Sequence, residues 1–376
     1  MTTQRRSLPA IVLGTAGLCA ALFAVFLRVA PNRLLSGQPH ESHGVVFGLA
    51  WLGVILAGWF GLRGRAPLLA VVAVAALVAL PVVAGFDARA ALEHAPASAR
   101  AQPGAGFWIM WMTAALLLLD ALRGMRALVQ VIAWVAVLAA LIVAAWQGAF
   151  EPLAVVREYR AQHASFDDAF LVHLRLVGVT FMAALLIGAP MGWWAWRARR
   201  GGGIVVGTLS FLQTVPSLAL FALLIGPFAW LAAHIPALAS LGFGGTGAAP
   251  AIVALVLYAL LPVVRYTMAG LDAVPFDTRE AAQALGMNRW QVLAQVQLPL
   301  GWPVLLSGLR IVAVQTIGLA AVATLIGAGG LGRFVFLGIG QGAIDMVLLG
   351  TLAIIALALL VDLLFQGLLA LAERRP

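Results

Sequence analysis

Ten stretches of this chain are dominated by apolar side chains and are long enough, or nearly so, to cross a lipid bilayer. They are residues 8–30, 44–62, 66–86, 107–122, 127–147, 173–196, 203–225, 249–271, 302–327 and 343–370. A hydrocarbon core about 30 Å thick needs about 20 helical residues at a 1.5 Å rise. An unpaired backbone N–H or C=O in lipid costs several kcal/mol, so each stretch must be a helix or part of a closed barrel. None alternates apolar and polar residues with period two, which favours helices. Composition agrees. The chain is 63% hydrophobic and 10% charged, whereas soluble domains hold about 45–50% apolar and about 25% charged residues. The expected fold is an all-α polytopic membrane protein with about ten transmembrane helices.

Charge sets the expected orientation. All 23 basic residues are arginine and the net charge is +9. A nucleic-acid surface would cluster them on a polar face; here they fall mostly at the ends of spans. With the N-terminus inside, thirteen lie on inner segments and six (Arg33, Arg89, Arg100, Arg157, Arg160 and Arg333) on outer loops. That bias predicts an N-in, C-in arrangement. The outer loops also hold most of the acids, including Glu41, Asp87, Glu93, Glu151 and Glu158. The first run follows Arg5 and Arg6 and exceeds the apolar region of a signal peptide, so it reads as a retained helix. Cys19, the single cysteine, sits within it as a packing residue. Three regions result: an N-terminal five-span region (1–147), an extracytoplasmic linker (148–172) and a five-span core (173–376).

The stretch 272–303 interrupts two spans of the core on the inner side. Pro275 followed by Asp277 or Thr278 suits a helix start. Glu280, Ala281, Ala282, Ala284 and Leu285 favour helix, and Gly286 permits a turn. A second helical piece, 290–297, should stop at Leu298-Pro299. Such a hairpin either receives force from a soluble motor or rests on the membrane surface.

Glu280-Ala281-Ala282, Gly286 and Leu298-Pro299 resemble the EAA signature of ATP-binding-cassette importer permeases, with Val296 in the pattern's isoleucine slot. The resemblance spans about residue 170 to the C-terminus. It implies an ABC importer permease core in which Glu280, Ala281, Ala282, Gly286, Leu298 and Pro299 couple to an ATPase subunit. Gln213-Thr214-Val215-Pro216-Ser217-Leu218-Ala219-Leu220 and Ile326-Gly327-Ala328-Gly329-Gly330-Leu331-Gly332 are similar to segments of osmoprotectant permeases for glycine betaine, choline and carnitine. Methionine importers share the second string. Tyr266 stands where the subfamily is expected to hold asparagine. The added N-terminal spans resemble YehY-type betaine permeases.

Polar groups beside Pro216 (Gln213, Thr214 and Ser217), with Gln315 and Thr316 in the ninth span, are the candidate substrate path. Gly327, Gly329, Gly330 and Gly332 form the candidate gate or structural turn. Arg28, Asp120, Arg310 and Asp362 are intramembrane or span-end charges that read as structural pairs. Trp193, Trp194 and Trp196 beside Arg197 read as an interfacial belt. His40-Glu41-Ser42-His43 reads as a solvated loop rather than a metal site. No P-loop, G-x-S-x-G or H-E-x-x-H occurs, so no catalytic residue, metal or resident cofactor is expected. ATP and Mg belong, on the resemblance, to partner ATPase subunits. The other implied partners are an extracytoplasmic binding protein, a second permease subunit and the bilayer, with no nucleic acid. An ion-coupled secondary transporter is the alternative from another class.

Overall fold

The computed structural model describes residues 7–33, 35, 37–40, 42–60, 65–237 and 243–372. Arg5, Arg6 and Glu41, named above, lie outside them, as do Arg63, Arg374 and Arg375 of the thirteen inner arginines. Nine helices among the described residues are long and apolar enough to span a bilayer. The chain divides into two compact units, Met1–Ala161 with Gly340–Met346, and Gln162–Ile339 with Val347–Pro376.

The first unit is built on α1 (Leu8–Phe23), α2 (Phe47–Phe60), α3 (Arg65–Leu92), α4 (Ala105–Leu122) and α5 (Ala127–Trp146). Three short strands at one end, β1 (Leu27–Ala30), β2 (Gln38–His40) and β3 (Arg100–Pro103), pair antiparallel in the order β2-β1-β3. The run 8–30 is therefore not one helix. Residue Ala24 turns extended (φ −104°, ψ 144°) and the remaining apolar residues become β1. A short apolar strand and the last turns of a helix look alike by hydropathy. Arg28 lies on β1 and donates to Gly37 O at 3.2 Å. Cys19 is exposed on α1 rather than packed inside.

Pro81 lies inside α3 and has no N–H for the carbonyl of Leu77, four residues back. Trp111 of α4 supplies the missing donor, its Nε1 reaching Leu77 O at 3.3 Å. Phe26, Phe107, Trp108 and Trp111 continue edge to face from that point. His43 is tied to α3 through Asp87: its Nδ1 is 2.6 Å from Asp87 Oδ1 and its backbone N–H donates to Oδ2 at 2.9 Å. Among the described residues no group of three or more His, Cys, Asp or Glu side chains could hold a metal. Asp120 pairs with Arg123 at 3.7 Å.

The polar stretch after α5 is largely helical. The helix α6 (Ala154–Arg197) bends at Gln162 (φ −127°, ψ 21°), where the two units divide. The chain continues with α7 (Arg199–Thr214), α8 (Ser217–His234), α9 (Ala248–Asp272), α10 (Phe276–Ala284), α11 (Arg289–Val292), α12 (Leu298–Val322), α13 (Gly332–Gln341) and α14 (Ile344–Ala372), all in the second unit except Gly340–Gln341 and Ile344–Met346. The run 203–225 is thus two helices that meet at Val215-Pro216, and together they extend well beyond it. The helix α9 is the most enclosed, with buried residues from Pro250 to Leu271. It packs along α12, where Gly270 and Gly301 bring the two backbones together.

Candidate functional site: the inner loop and the polar cavity of the core

The first turn of α10 follows Pro275 and carries Asp277, whose charge suits a helix N-terminus. The helix ends in two reversed bonds. Gly286 N–H reaches Gln283 O at 2.9 Å, and Met287 N–H reaches Ala282 O at 3.2 Å. That closure requires a left-handed residue, and Gly286 has φ +86°. A Cβ there would meet nothing within 4 Å, so backbone sign alone demands glycine. Asn288 then caps α11. Its Oδ1 accepts from Trp290 and Gln291 N–H, while Gln291 Oε1 accepts from Asn288 N–H at 2.7 Å. Ala282 is buried; Glu280, Ala281 and Gly286 are exposed, and Leu285, Phe276 and Trp290 present apolar surface at 85%, 67% and 68% exposure.

The second helical piece does not stop at Leu298-Pro299. A π-helical turn, 293–297, carries it directly into α12, with Leu298 N–H bonded to Leu293 O. Pro299 occupies the first turn of α12, where the wider pairing leaves room for its ring and its missing N–H. Helical backbone therefore runs from Arg289 to Ile326. That rod joins the loop to the centre of the core.

The inner end of α6 holds the loop. Trp193 stacks on Trp290 with ring centroids 5.5 Å apart and planes at 22°. Arg279 lies over both Trp196 (5.6 Å) and Phe276 (5.7 Å), and Trp196 Nε1 donates to Asp272 Oδ1 at 2.7 Å. Two of the three tryptophans expected in an interfacial belt thus pack the loop against the span. Hydropathy cannot separate these roles, because both place tryptophan beside arginine at a helix end.

Deeper in the core, Pro262 leaves the carbonyl of Tyr258 without its helical donor. Gln213 supplies it, with Nε2 to Tyr258 O at 2.8 Å. The Tyr258 hydroxyl in turn donates to Val215 O, at the break between α7 and α8. This reciprocal pair pins the broken span to α9. Beside it lies a cavity of about 320 Å3 lined by Gln213, Leu261, Pro262, Arg265, Tyr266, Ala269 and Gln315. A second, of about 520 Å3, lies against Gln315 and the Arg310–Asp362 ion pair. That pair is bidentate, at 2.5 and 2.8 Å, and Gln366 also donates to Asp362 at 2.8 Å.

Of the candidate path residues, Gln213 and Gln315 meet at the first cavity. Thr316 is buried and donates to Val312 O within its own helix at 2.7 Å. Thr214 likewise donates to Phe211 O at 2.7 Å, and Pro216 and Ser217 form the N-terminal end of α8. None of these four lines either cavity. Arg265 and Tyr266, which do, were visible in the sequence only as a residue of the segment Tyr258–Leu271 that resembles osmoprotectant permeases and as a departure from its pattern.

In the glycine turn Gly330 and Gly332 are buried, while Gly327 is exposed. Gly327, Gly329 and Gly330 have φ of +83°, +78° and +85°. Gly332 is not left-handed; a Cβ there would overlap Ala321 O. Thr324 Oγ1 donates to Gly329 O at 2.6 Å, and Gly247 N–H donates to Ile326 O at 2.7 Å. The fully buried His173 of α6 lies against Gly330.

Residues 184–376, the cavity and the loop included, match the model of the family described as binding-protein-dependent transport system inner membrane component. The chain belongs to that family. It is a multi-pass component of the inner membrane. The preceding part of this permease, residues 5–156, matches a second model, ABC transporter permease YehY, N-terminal domain. Over 196 residues it is 40% identical to the osmoprotectant import permease protein OsmW of Salmonella typhimurium, covering 52% of this chain and 86% of that one. It is 32% identical to the glycine betaine/carnitine/choline transport system permease protein OpuCB of Bacillus subtilis, covering 54% of this chain and 84% of the other. The native crystal form of the inward-facing MetNI methionine ABC transporter has the same core fold. It matches with TM-score 0.50 and 20% identity over 57% of this chain and 99% of that one.

Proposed function

We propose that this permease forms the membrane path of an ATP-driven importer of osmoprotectants such as glycine betaine, choline or carnitine. The observation that carries the substrate class is the 40% identity to an osmoprotectant import permease over 86% of that protein's length. The mode of driving rests on the loop 272–303. Its capped helix exposes Glu280, Ala281, Leu285 and Phe276 for a soluble partner, and a continuous helix leads from it to the cavity.

The mechanism is alternating access. Two ATPase subunits bind ATP and Mg, close, and draw the coupling loops of two permease subunits with them. The rods that begin at Arg289 tilt, and the core changes from inward- to outward-open as a bistable bundle. A loaded extracytoplasmic binding protein releases its solute into the opened path, and hydrolysis resets it. The permease itself is non-catalytic and carries no cofactor; its role is to convert loop displacement into a change of cavity access.

The test is uptake in cells lacking their own osmoprotectant transport but expressing the chain with its ATPase and binding protein. Glycine betaine, choline or carnitine should accumulate. Glu280→Lys or Gly286→Asp should abolish accumulation while the protein still inserts. Accumulation of methionine alone would refute the substrate class, and normal uptake by either variant would refute the coupling role.

A further inference from the structure

Charges inside the second unit differ in whether they are compensated. Arg310 is neutralised by Asp362 through two hydrogen bonds. Arg265 is not. Its Nη2 donates to the hydroxyl of Ser210 at 3.1 Å, and no carboxylate pairs with it among the described residues. It lies seven residues before the end of α9 at Asp272, about 10 Å along the helix. An ionised side chain at that depth is expensive against lipid and belongs on a wet or ligand-bearing surface. Arg265 is on such a surface, since it lines the 320 Å3 cavity, and small-solute sites begin at about 300 Å3.

The neighbouring residue, Tyr266, lines the same cavity. Consecutive helix positions diverge by about 100°, so guanidinium and phenol ring approach the space from different sides. The Tyr266 side chain packs against α12 at position 308, which is glycine; a Cβ there would overlap the Tyr266 Cβ and Cγ. A tyrosine face held in this way attracts quaternary ammonium through its ring quadrupole. A guanidinium without a counter-charge takes a carboxylate in two parallel hydrogen bonds. Gln213, whose Nε2 is committed to Tyr258 O, retains its side-chain oxygen as an acceptor.

We propose that the cavity at Arg265 and Tyr266 is the transit site for a zwitterionic solute, with its carboxylate on Arg265 and its quaternary ammonium on the Tyr266 ring. This rests on the osmoprotectant reading above and adds a residue-level distinction. Solutes that carry a carboxylate, such as glycine betaine and carnitine, use both groups. Choline, which has none, uses only the ring.

The test is the initial rate of uptake of glycine betaine and of choline into proteoliposomes. These hold the permease with its ATPase, saturating loaded binding protein is supplied outside, and rates are normalised to assembled complex. Arg265→Gln should lower betaine uptake about tenfold or more, as expected for loss of a charged hydrogen bond. Its choline rate should change much less, so the betaine-to-choline ratio falls. Arg265→Lys should recover a substantial part of the betaine rate. Tyr266→Leu should lower both solutes severalfold, whereas Tyr266→Phe should lower neither. An unchanged ratio in Arg265→Gln would overturn the assignment, whether both rates stay at wild type or both fall together. The second pattern would mark Arg265 as a structural or subunit contact. Lysine no better than glutamine at position 265 would also overturn it. If the wild-type complex moves another solute and neither of these, the substrate reading itself has failed.

Discussion

Gly286 allows a calculation that isolates backbone sign from packing. Its φ is +86°, and a Cβ there would meet no atom within 4 Å. Alanine therefore introduces no clash. It adds only the cost of holding an L-residue in the left-handed region, about 1–2 kcal/mol. Asparagine, whose short amide bonds locally, costs less; valine, branched at Cβ, costs more. The cost falls on the capped end of α10, because the Gln283 and Ala282 carbonyls bond Gly286 and Met287 only in that conformation. A penalty of about 1–2 kcal/mol shifts the balance between capped and frayed ends by about 5–30-fold. An ATPase that binds the capped loop should lose affinity by up to that factor. The assay is titration of purified ATPase subunit against the permease in nanodiscs. The expected order of affinity is Gly, Asn, Ala, Val, with equal amounts of inserted protein. Alanine binding as tightly as glycine, or asparagine binding more weakly than alanine, would refute the reasoning.

Other substitutions test the contacts around the core. Gln213→Leu strands the Tyr258 carbonyl that Pro262 already deprives of a donor; it should cost about 1–3 kcal/mol, read as a lower melting temperature of the detergent-solubilised protein. Gly308→Ala forces the Tyr266 ring off α12; overpacking of this kind costs about 1–3 kcal/mol, and uptake should fall further than the melting temperature alone accounts for. Asn288→Ala removes the capping box of α11 at about 1 kcal/mol, visible as faster hydrogen exchange confined to residues 289–293. Neutralising Arg310 or Asp362 singly should destabilise the protein more than replacing both with apolar residues. The loss should stay below the about 3–5 kcal/mol of a fully buried pair, because these side chains are 33% and 25% exposed. A double-mutant cycle measures the difference.

Much of the membrane architecture was legible in the sequence because the bilayer restricts what an apolar run can do. The loop was legible for a second reason: Gly286 at its spacing from Glu280 marks a left-handed helix end, which few residues can occupy. Other features were hidden because sequence shows the deficit but not its partner. Pro81 and Pro262 announce orphaned carbonyls at Leu77 and Tyr258, yet nothing local says that Trp111 and Gln213 will satisfy them. Pro299 was misleading, since proline ends a helix when it follows one and begins a helix when it occupies the first turn. The strand Leu27–Ala30 was concealed by its apolar neighbours, and α13 by its shortness. Among the path candidates, periodicity could not tell which side of the helix Thr316 faces. The structure turns it into the core and turns Gln315 to the cavity.

The central claim is that solute crosses this permease on energy delivered by ATP through the loop 272–303. The most direct measurement is glycine betaine entry into proteoliposomes containing the permease with its ATPase, with loaded binding protein outside and ATP inside. Entry should require ATP, stop with vanadate, and fail to respond to an imposed sodium or proton gradient. Concentrative uptake driven by either gradient without ATP would contradict the account.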